Sequence, residues 1–357
     1  MRLNPLTAKK LRRFRSIRRG YFSFLLLCGL SLISLLGELL VNSRAIVVRY
    51  EGKWYFPTYG DIIPGTTFGF DYSYETNYRD LRDRFRQEGG DNWLLMPPIA
   101  FNPYENTPYE GVFKPAPPSW LGGPAGHLLG TDTTGRDIFA RLFYGFRVAI
   151  FFALAFTVLT YLVGITIGCL MGFFGGKVDL FGQRLIEIWS NIPFLYTVII
   201  IFSVIPATFT VPVRIFILLV ILVLFSWTGM TYYMRTATYR EKARDYTAAA
   251  IVLGAGTGRI IFNHILPNTI STIVTFIPFT VAAAITSITA LDFLGFGLPP
   301  PTPSLGELLK QGTQTLTTAP WIVSSAFAAL VFILTLVTFV GEAVREAFDP
   351  KKFTTYE

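Results

Sequence analysis

Six apolar runs dominate this chain, and each is long enough to cross a lipid bilayer as a helix. A hydrocarbon core of about 30 Å requires about 20 mostly apolar residues in a helix. Because lipid offers the backbone no hydrogen-bond partners, such runs form helices that satisfy their own N–H and C=O groups. The sequence therefore predicts an all-α membrane protein with six transmembrane helices. The runs lie at about 21–41, 148–174, 185–205, 215–233, 269–291 and 321–340.

Charge predicts how these helices are oriented. Residues 1–20 contain eight lysines and arginines and no acidic residue, which by the positive-inside rule keeps the N-terminus in the cytoplasm. Six spans then return the C-terminus to the cytoplasm and place the basic stretch 239–268 there as well. Because such loops account for the net charge of +8, the charge indicates a membrane protein in contact with lipid and no nucleic-acid partner.

The predicted organisation has five parts. They are a basic cytoplasmic N-terminus at 1–20, a first transmembrane helix at 21–41, a periplasmic segment at 42–145, a five-helix core at 146–342 and a cytoplasmic tail at 343–357. The periplasmic segment is too long for a bare loop, so we expect a small folded unit with a charged helix at 77–89. Pro193 in the third span indicates a bend. The fifth span has a small, weakly polar half, VAAAITSITA, which suits either a passage or tight packing.

The stretch 239–268 interrupts the apolar C-terminal half with a basic, polar-rich sequence. Asp245 is a good N-cap for a short helix that Gly254 ends. Thr257 can cap a second helix that runs until Pro267. An alanine-rich amphipathic helix between two spans predicts a surface for a partner. The apolar positions of the first helix follow a helical spacing, with Tyr246, Ala249, Ala250 and Leu253 on one face.

A second motif, HLLGTDTTGRDIFARLFYGFR at 127–147, precedes the second span. Gly130 and Gly135 bracket a turn, and Asp132 or Thr134 can cap the helix that follows. The charged residues after the turn are spaced to pair with one another on one helix surface. The motif therefore predicts an amphipathic helix at the outer interface. Its predicted residues are Gly130, Asp132, Gly135, Arg136, Asp137 and Arg141.

Motifs for chemistry are missing from the sequence. GFFGGKV at 172–178 lacks the first glycine and the Ser or Thr of a nucleotide-binding loop. GAGTG at 254–258 follows an alanine-rich helix instead of a strand, unlike a dinucleotide loop. The two histidines, His127 and His264, are predicted on opposite sides of the membrane, so no metal site is expected. The chain is therefore predicted not to be an enzyme by itself.

Four ordered sequence blocks resemble permeases of ABC importers, in the oligopeptide and dipeptide branch. The first is the EAA loop, matched by AAAIVLG at 248–254 and HILP at 264–267, although Ala248 stands where the family has Glu. The others are LGTDTTGRDIFARLFYG, DFLGFGLPPPTPSLGELL and GEAVREAFDP. They span residues 127–352. YEGKWYFP at 50–57 narrows the resemblance to a YejE-type subgroup.

The resemblance implies a type I ABC-importer permease fold in the bacterial inner membrane. A second homologous permease subunit would complete the pathway, a periplasmic substrate-binding protein would deliver a peptide, and a cytoplasmic ABC ATPase would bind ATP and magnesium. This chain would need no cofactor, and small Ala249, Ala250 and Gly254 would form its contact face with the ATPase. The coupling residues implied are Asp245, Tyr246, Ala249, Ala250, Leu253, Gly254, His264 and Pro267.

Two other functions remain open at this point. A permease of the same branch could move nickel or another small solute, because substrate choice lies mostly in the binding protein. A secondary transporter or channel that works alone would need ionisable relays inside the membrane, and these are scarce in the sequence.

Overall fold

The computed structural model describes residues 5–206 and 208–349, and these form a helical bundle with a small sheet at one end. Its long helices are α2 (Arg18–Leu35), α5 (Ile138–Phe174), α8 (Val211–Lys242), α11 (Leu266–Leu294) and α13 (Pro320–Phe348). Its shorter helices are α1 (Pro5–Ser16), α3 (Gly37–Leu40), α4 (Tyr78–Glu88), α6 (Gly176–Ser190), α7 (Phe194–Val204), α9 (Asp245–Val252), α10 (Thr257–Ile260) and α12 (Leu305–Gln314). The strands are β1 (Val47–Tyr50), β2 (Lys53–Tyr55) and β3 (Trp93–Leu95).

Five continuous helices of the described residues are long and apolar enough to cross a membrane, and a bent pair would make a sixth span. The pair is α6 and α7, which meet at an angle of 72°. Pro193 lies at the break as the N-cap of α7, because proline disfavours a helical conformation in the residue before it. The bend predicted at Pro193 is confirmed, whereas a single helix over 185–205 is wrong.

The centre of the bundle is apolar, and α5 contributes to it along most of its length. Phe152 and Phe156 of α5 pack with Leu218 of α8 and with Ile285 and Ile288 of α11 in one buried cluster. α13 closes this cluster from the far side of α11. Because lipid tails are as apolar as these side chains, the cluster stabilises the bundle through van der Waals packing.

The segment between α3 and α5 contains a three-stranded antiparallel sheet in the order β2-β1-β3. α4 packs on its inner face, where Val48, Phe68, Leu81 and Phe85 are buried together. Asn77 caps α4 by accepting from the backbone N–H groups of the residues two and three positions on. The charged helix and the small folded unit are therefore confirmed, but the sheet makes the all-α prediction wrong for this segment.

The bundle has two ends that differ in character. We call the end that carries the sheet, α12 and the turn at 130–136 the sheet end, and the end that carries α9 and α10 the loop end. α1 also packs at the loop end, where Phe14 is buried against Ala343 and Ala347 of α13. Helices α5 and α13 run across the predicted boundaries at 145 and 342. Residues 1–4 and 350–357 of the predicted terminal segments lie outside the described residues.

Candidate functional site

At the loop end, α9 is held against the last turn of α8 by its polar side chains. The hydroxyl of Thr247 donates to the carbonyl of Glu241 over 2.8 Å. The hydroxyl of Tyr246 donates to the carboxylate of Glu241 over 2.8 Å. Burial, followed by the nearby Glu241 carboxylate, raises the pKa of Tyr246, so its hydroxyl keeps its proton and stays a donor at neutral pH.

The C-terminal end of α9 carries apolar side chains that the described chain leaves exposed. Ile251, Val252 and Leu253 are 47%, 85% and 86% exposed. Gly254 ends the helix as predicted, with a φ of 78° that suits glycine at the position after a helix. We call residues 251–254 the α9 tip.

The predicted contact face at the loop end needs correction. Ala249 and Gly254 are exposed, but Ala250 is buried against Ile260 and Ile265. Asp245 is the first residue of α9 and does not cap it, since the N-cap is Arg244 without a side-chain hydrogen bond. Thr257 likewise begins α10 without capping it, after Gly256. The helical spacing placed Leu253 on the same face as Ala250, whereas Leu253 lies past the helix and points outward.

Pro267 does not end the second helix. Residues Thr257–Leu294 form one continuous helical rod, in which a π-helical turn at Ile261–Ile265 directly precedes the proline. A π turn is wider than an α turn, which gives room to the proline ring that would otherwise clash with the preceding turn. His264 lies in this π turn, half-buried, with its ring 6.4 Å from the ring of Tyr246.

Helices α5 and α8 approach each other very closely along a glycine stripe that the sequence reasoning missed. A Cβ on Gly168 would lie 2.6 Å from the carbonyl oxygen of Thr231, and one on Gly172 would lie 2.6 Å from that of Arg235. Gly164 faces Met230 in the same way. The signal was present as glycines at every fourth residue, a pattern of close helix packing in membranes.

Polar contacts at the loop end reinforce this pair of helices. Arg235 of α8 forms an ion pair with Asp179 of α6, with 2.7 Å between its Nη2 and Asp179 Oδ2. The ammonium of Lys242 donates to the carbonyl of Phe173 over 2.5 Å. These contacts join α5, α6 and α8 at the loop end.

At the sheet end, four charged residues form a buried cluster. The guanidinium of Arg136 contacts Asp132 at 2.7 Å and Glu307 at 3.2 Å. Arg141 is fully buried and pairs with both carboxylates. The amide of Gln311 donates to Glu307 over 2.5 Å. The cluster joins the turn before α5 to α12, and its partners Glu307 and Gln311 were missed because they lie more than 160 residues further along the chain.

Asp137 has a different role from the one predicted. It is the N-cap of α5 and accepts from the backbone N–H of Ala140 over 2.7 Å, so neither Asp132 nor Thr134 caps that helix. Its other oxygen lies 2.8 Å from Nδ1 of His127, which is buried and stacks on Phe101. The predicted pairing of Arg136, Asp137 and Arg141 with one another is therefore wrong. The helix predicted after the turn is the first part of α5, which continues without a break into the second span.

The turn that leads into this cluster is bracketed by two glycines, as the sequence predicted. Gly130 and Gly135 have φ values of 79° and 85°. Asp132 closes the turn by accepting from the backbone N–H groups of Thr134 and Arg136 at 2.9 and 3.0 Å. This short-range network fixes Asp132, and through it the two arginines.

One face of α11 packs, and the other lines a groove. Ala284 and Ile285 are buried in the bundle centre, while Ala283 and Ser287 line a groove of about 310 Å³ between α5, α8 and α11. Tyr233 of α8 lies on the opposite wall. The tight packing expected of this span is therefore confirmed for one face, whereas the other face is open to the groove. Within residues 5–206 and 208–349, no group of three or more His, Cys, Asp or Glu side chains is placed to hold a metal ion.

The family model for binding-protein-dependent transport system inner membrane components matches residues 164–354, which include the α9 tip, α12 and the groove face of α11. This chain belongs to that family. It is 42% identical to the inner membrane ABC transporter permease protein YejE of Escherichia coli K12, over 98% of this chain and 99% of that protein.

Further relatives support the same assignment. The peptidoglycan transport system permease protein YejE of Agrobacterium fabrum is 39% identical, over 98% of this chain and 94% of its own. The dipeptide transport system permease protein DppC of Haemophilus influenzae is 32% identical, over 72% and 85%. The resemblance to oligopeptide and dipeptide permeases, with a YejE-type subgroup within it, is confirmed.

Proposed function

We propose that this chain is the transmembrane permease subunit of an ATP-driven importer for oligopeptides or peptide-like compounds in the bacterial inner membrane. Relatives named for dipeptide and peptidoglycan transport support this substrate class. A second homologous permease supplies the other half of the pathway, and a periplasmic substrate-binding protein delivers the compound to the sheet end. The ATPase subunits bind ATP and magnesium, so this chain requires no cofactor.

The observation that carries this proposal is the α9 tip. Val252 and Leu253 are the two most exposed large apolar side chains described in the chain. They project from the loop end, which we assign to the cytoplasm because its loop is basic. Exposed apolar side chains grouped at one point mark a site for another protein. The tip thus serves as the contact for the ATPase.

The connections of α9 suit a coupling role. α9 is hydrogen-bonded to α8 through Glu241. Ala250 of α9 packs on Ile260 and Ile265 of the helical rod that runs to Leu294. A displacement of the tip by a closing ATPase dimer would move both α8 and this rod as rigid bodies. The groove between these helices would change shape, and we assign it to half of the translocation pathway.

Replacement of Leu253 by Asp tests the coupling assignment. Loss of an apolar anchor at an interface costs about 2 kcal/mol or more, about thirtyfold in affinity, so Leu253→Asp should abolish both ATPase co-purification and peptide uptake. Leu253→Met keeps the apolar volume and should retain both. Detergent size-exclusion profiles would establish that both variants are folded. Wild-type levels of ATPase co-purification with folded Leu253→Asp would overturn the assignment.

A further inference from the structure

A polar cavity of about 460 Å³ opens at the sheet end between α7, α8, α11 and α12. It contrasts with the cavities between the helices deeper in the bundle, which are lined mostly by apolar side chains. Charged and amide side chains line it together with the Gly- and Pro-rich loop after α11. The polar lining residues are Arg214, Asp292, Glu307, Lys310, Gln311 and Gln314.

The two acids of this cavity are already satisfied by the protein. Asp292 accepts from the backbone N–H of Leu298 over 2.6 Å and from the hydroxyl of Ser304. Glu307 is held by Arg136 and Arg141 in the buried cluster. Both carboxylates are less than one-tenth exposed, so they are structural parts of the wall.

The two cations of the cavity lack an acidic partner. Among the described residues, no carboxylate lies within ion-pair distance of Arg214 or Lys310. Arg214 donates through Nη2 to the carbonyl of Pro206 over 3.1 Å, while its buried Nε has no hydrogen-bond partner. The Arg214 side chain as a whole is only half-buried and lines the cavity, so its guanidinium is available to an anion there.

The cavity lies on the same two helices as the groove. Arg214 is in the first turn of α8 and Asp292 is in the last turn of α11, while Tyr233 and Ala283 line the groove further along these helices. The polar cavity therefore lies at the sheet-end termini of two helices that also line the groove.

We propose that Arg214 and Lys310 bind a carboxylate of the transported compound at the sheet end. This inference rests on the proposed function, since it assigns the substrate a free carboxylate such as a peptide C-terminus. A guanidinium and an ammonium both form charge-assisted hydrogen bonds with a carboxylate. A cavity of about 460 Å³ has room for the end of a small molecule, and an acidic side chain of the docked binding protein is the competing source of such a group.

Uptake by the assembled importer in proteoliposomes, with its binding protein, would test this site. The probes are one peptide with a free C-terminal carboxylate and the same peptide with a C-terminal amide. Loss of a charged hydrogen bond costs about tenfold in affinity, so Arg214→Gln and Lys310→Gln should each raise the KM for the free acid about tenfold. Uptake of the amide should remain unchanged in each variant, which also shows that the variant is folded. Lys53→Gln removes an exposed lysine from the sheet end and should alter uptake of neither peptide.

Three other outcomes have distinct meanings. Wild-type uptake of both peptides in both variants would refute the carboxylate site and leave the proposed function intact. An equal loss for both peptides would instead assign the two cations to docking of the binding protein, and would also overturn the inference. Failure of the wild-type importer to move either peptide would refute the peptide substrate itself.

Discussion

Arg141 and Glu307 are separated by 166 positions in the sequence and form a buried ion pair that joins α5 to α12. The Glu307 carboxylate also accepts hydrogen bonds from Arg136 and Gln311, so it binds three side chains at the sheet end. Removing one partner of a buried pair leaves an uncompensated charge, which is more costly than losing an exposed pair.

Glu307→Gln should therefore lower thermal stability. We expect a loss of about 3–5 kcal/mol, measured as a fall in the midpoint of thermal unfolding of the detergent-purified protein. Glu187→Gln is the matched control, because Glu187 pairs with Arg184 on an exposed helix surface where such pairs contribute about 0–1 kcal/mol. Equal midpoints for the two variants would contradict a structural role for the cluster.

The close contact of α5 and α8 predicts a strong effect from one methyl group. Gly168→Ala should destabilise the protein by about 1–3 kcal/mol, since the added Cβ meets the backbone of α8. Gly29→Ala is the control, because a Cβ on Gly29 would have no neighbour within 4 Å, and alanine in a helix should stabilise by about 0.5–1 kcal/mol. The midpoint of thermal unfolding should fall for Gly168→Ala and rise for Gly29→Ala. An unchanged midpoint for Gly168→Ala would argue against the close approach of the two helices.

Asp137 combines a helix cap with a buried hydrogen bond to His127. Asp137→Ala should lower the free energy of unfolding by about 0.5–2 kcal/mol, because the helix loses its cap. It should cost about 1–3 kcal/mol more, because His127 is left buried without a hydrogen-bond partner. Asp137→Asn retains a side-chain oxygen for the cap, so its unfolding midpoint should lie between those of wild type and Asp137→Ala. If Asn and Ala are equally destabilising, the cap contributes nothing measurable.

These residues show what the sequence alone could predict. Local chemistry sufficed for the turn at Gly130 and Gly135, for the bend at Pro193 and for the end of α9 at Gly254, because each depends on its immediate neighbours. The partners of Arg141 could not be predicted, since Glu307 approaches only after the bundle has folded. Ala250 was assigned to the wrong surface for the same reason, because a helical spacing does not reveal which face a later segment covers.

Gly254 gives a test confined to the α9 tip. Its φ of 78° lies in the left-handed region, so Gly254→Ala should add about 1–2 kcal/mol of backbone strain even though the space around it is open. Faster hydrogen exchange of the α9 amides and lower uptake should follow. Gly258→Ala, which adds a Cβ to equally open space without a positive φ, should change neither. Unaltered exchange in Gly254→Ala would mean that the tip tolerates another conformation.

The groove face of α11 predicts a block in transport without loss of assembly. Ala283→Trp should fill much of the groove and reduce peptide uptake to background, while the importer still co-purifies with its ATPase. Val331→Trp adds a similar bulk to an exposed position on α13 and should leave uptake intact. Full uptake by Ala283→Trp would exclude this groove from the pathway.

The π turn at Ile261–Ile265 also determines the rotational phase of the long rod. Successive residues of an α-helix are turned by about 100° around its axis, and a π turn holds one residue more than an α turn. Deleting a single residue there would convert the turn to an α-helix and swing the far segment around its axis relative to α9. Ala283 and Ser287 would then face another part of the bundle. The length of this one turn thus sets which side chains the groove presents.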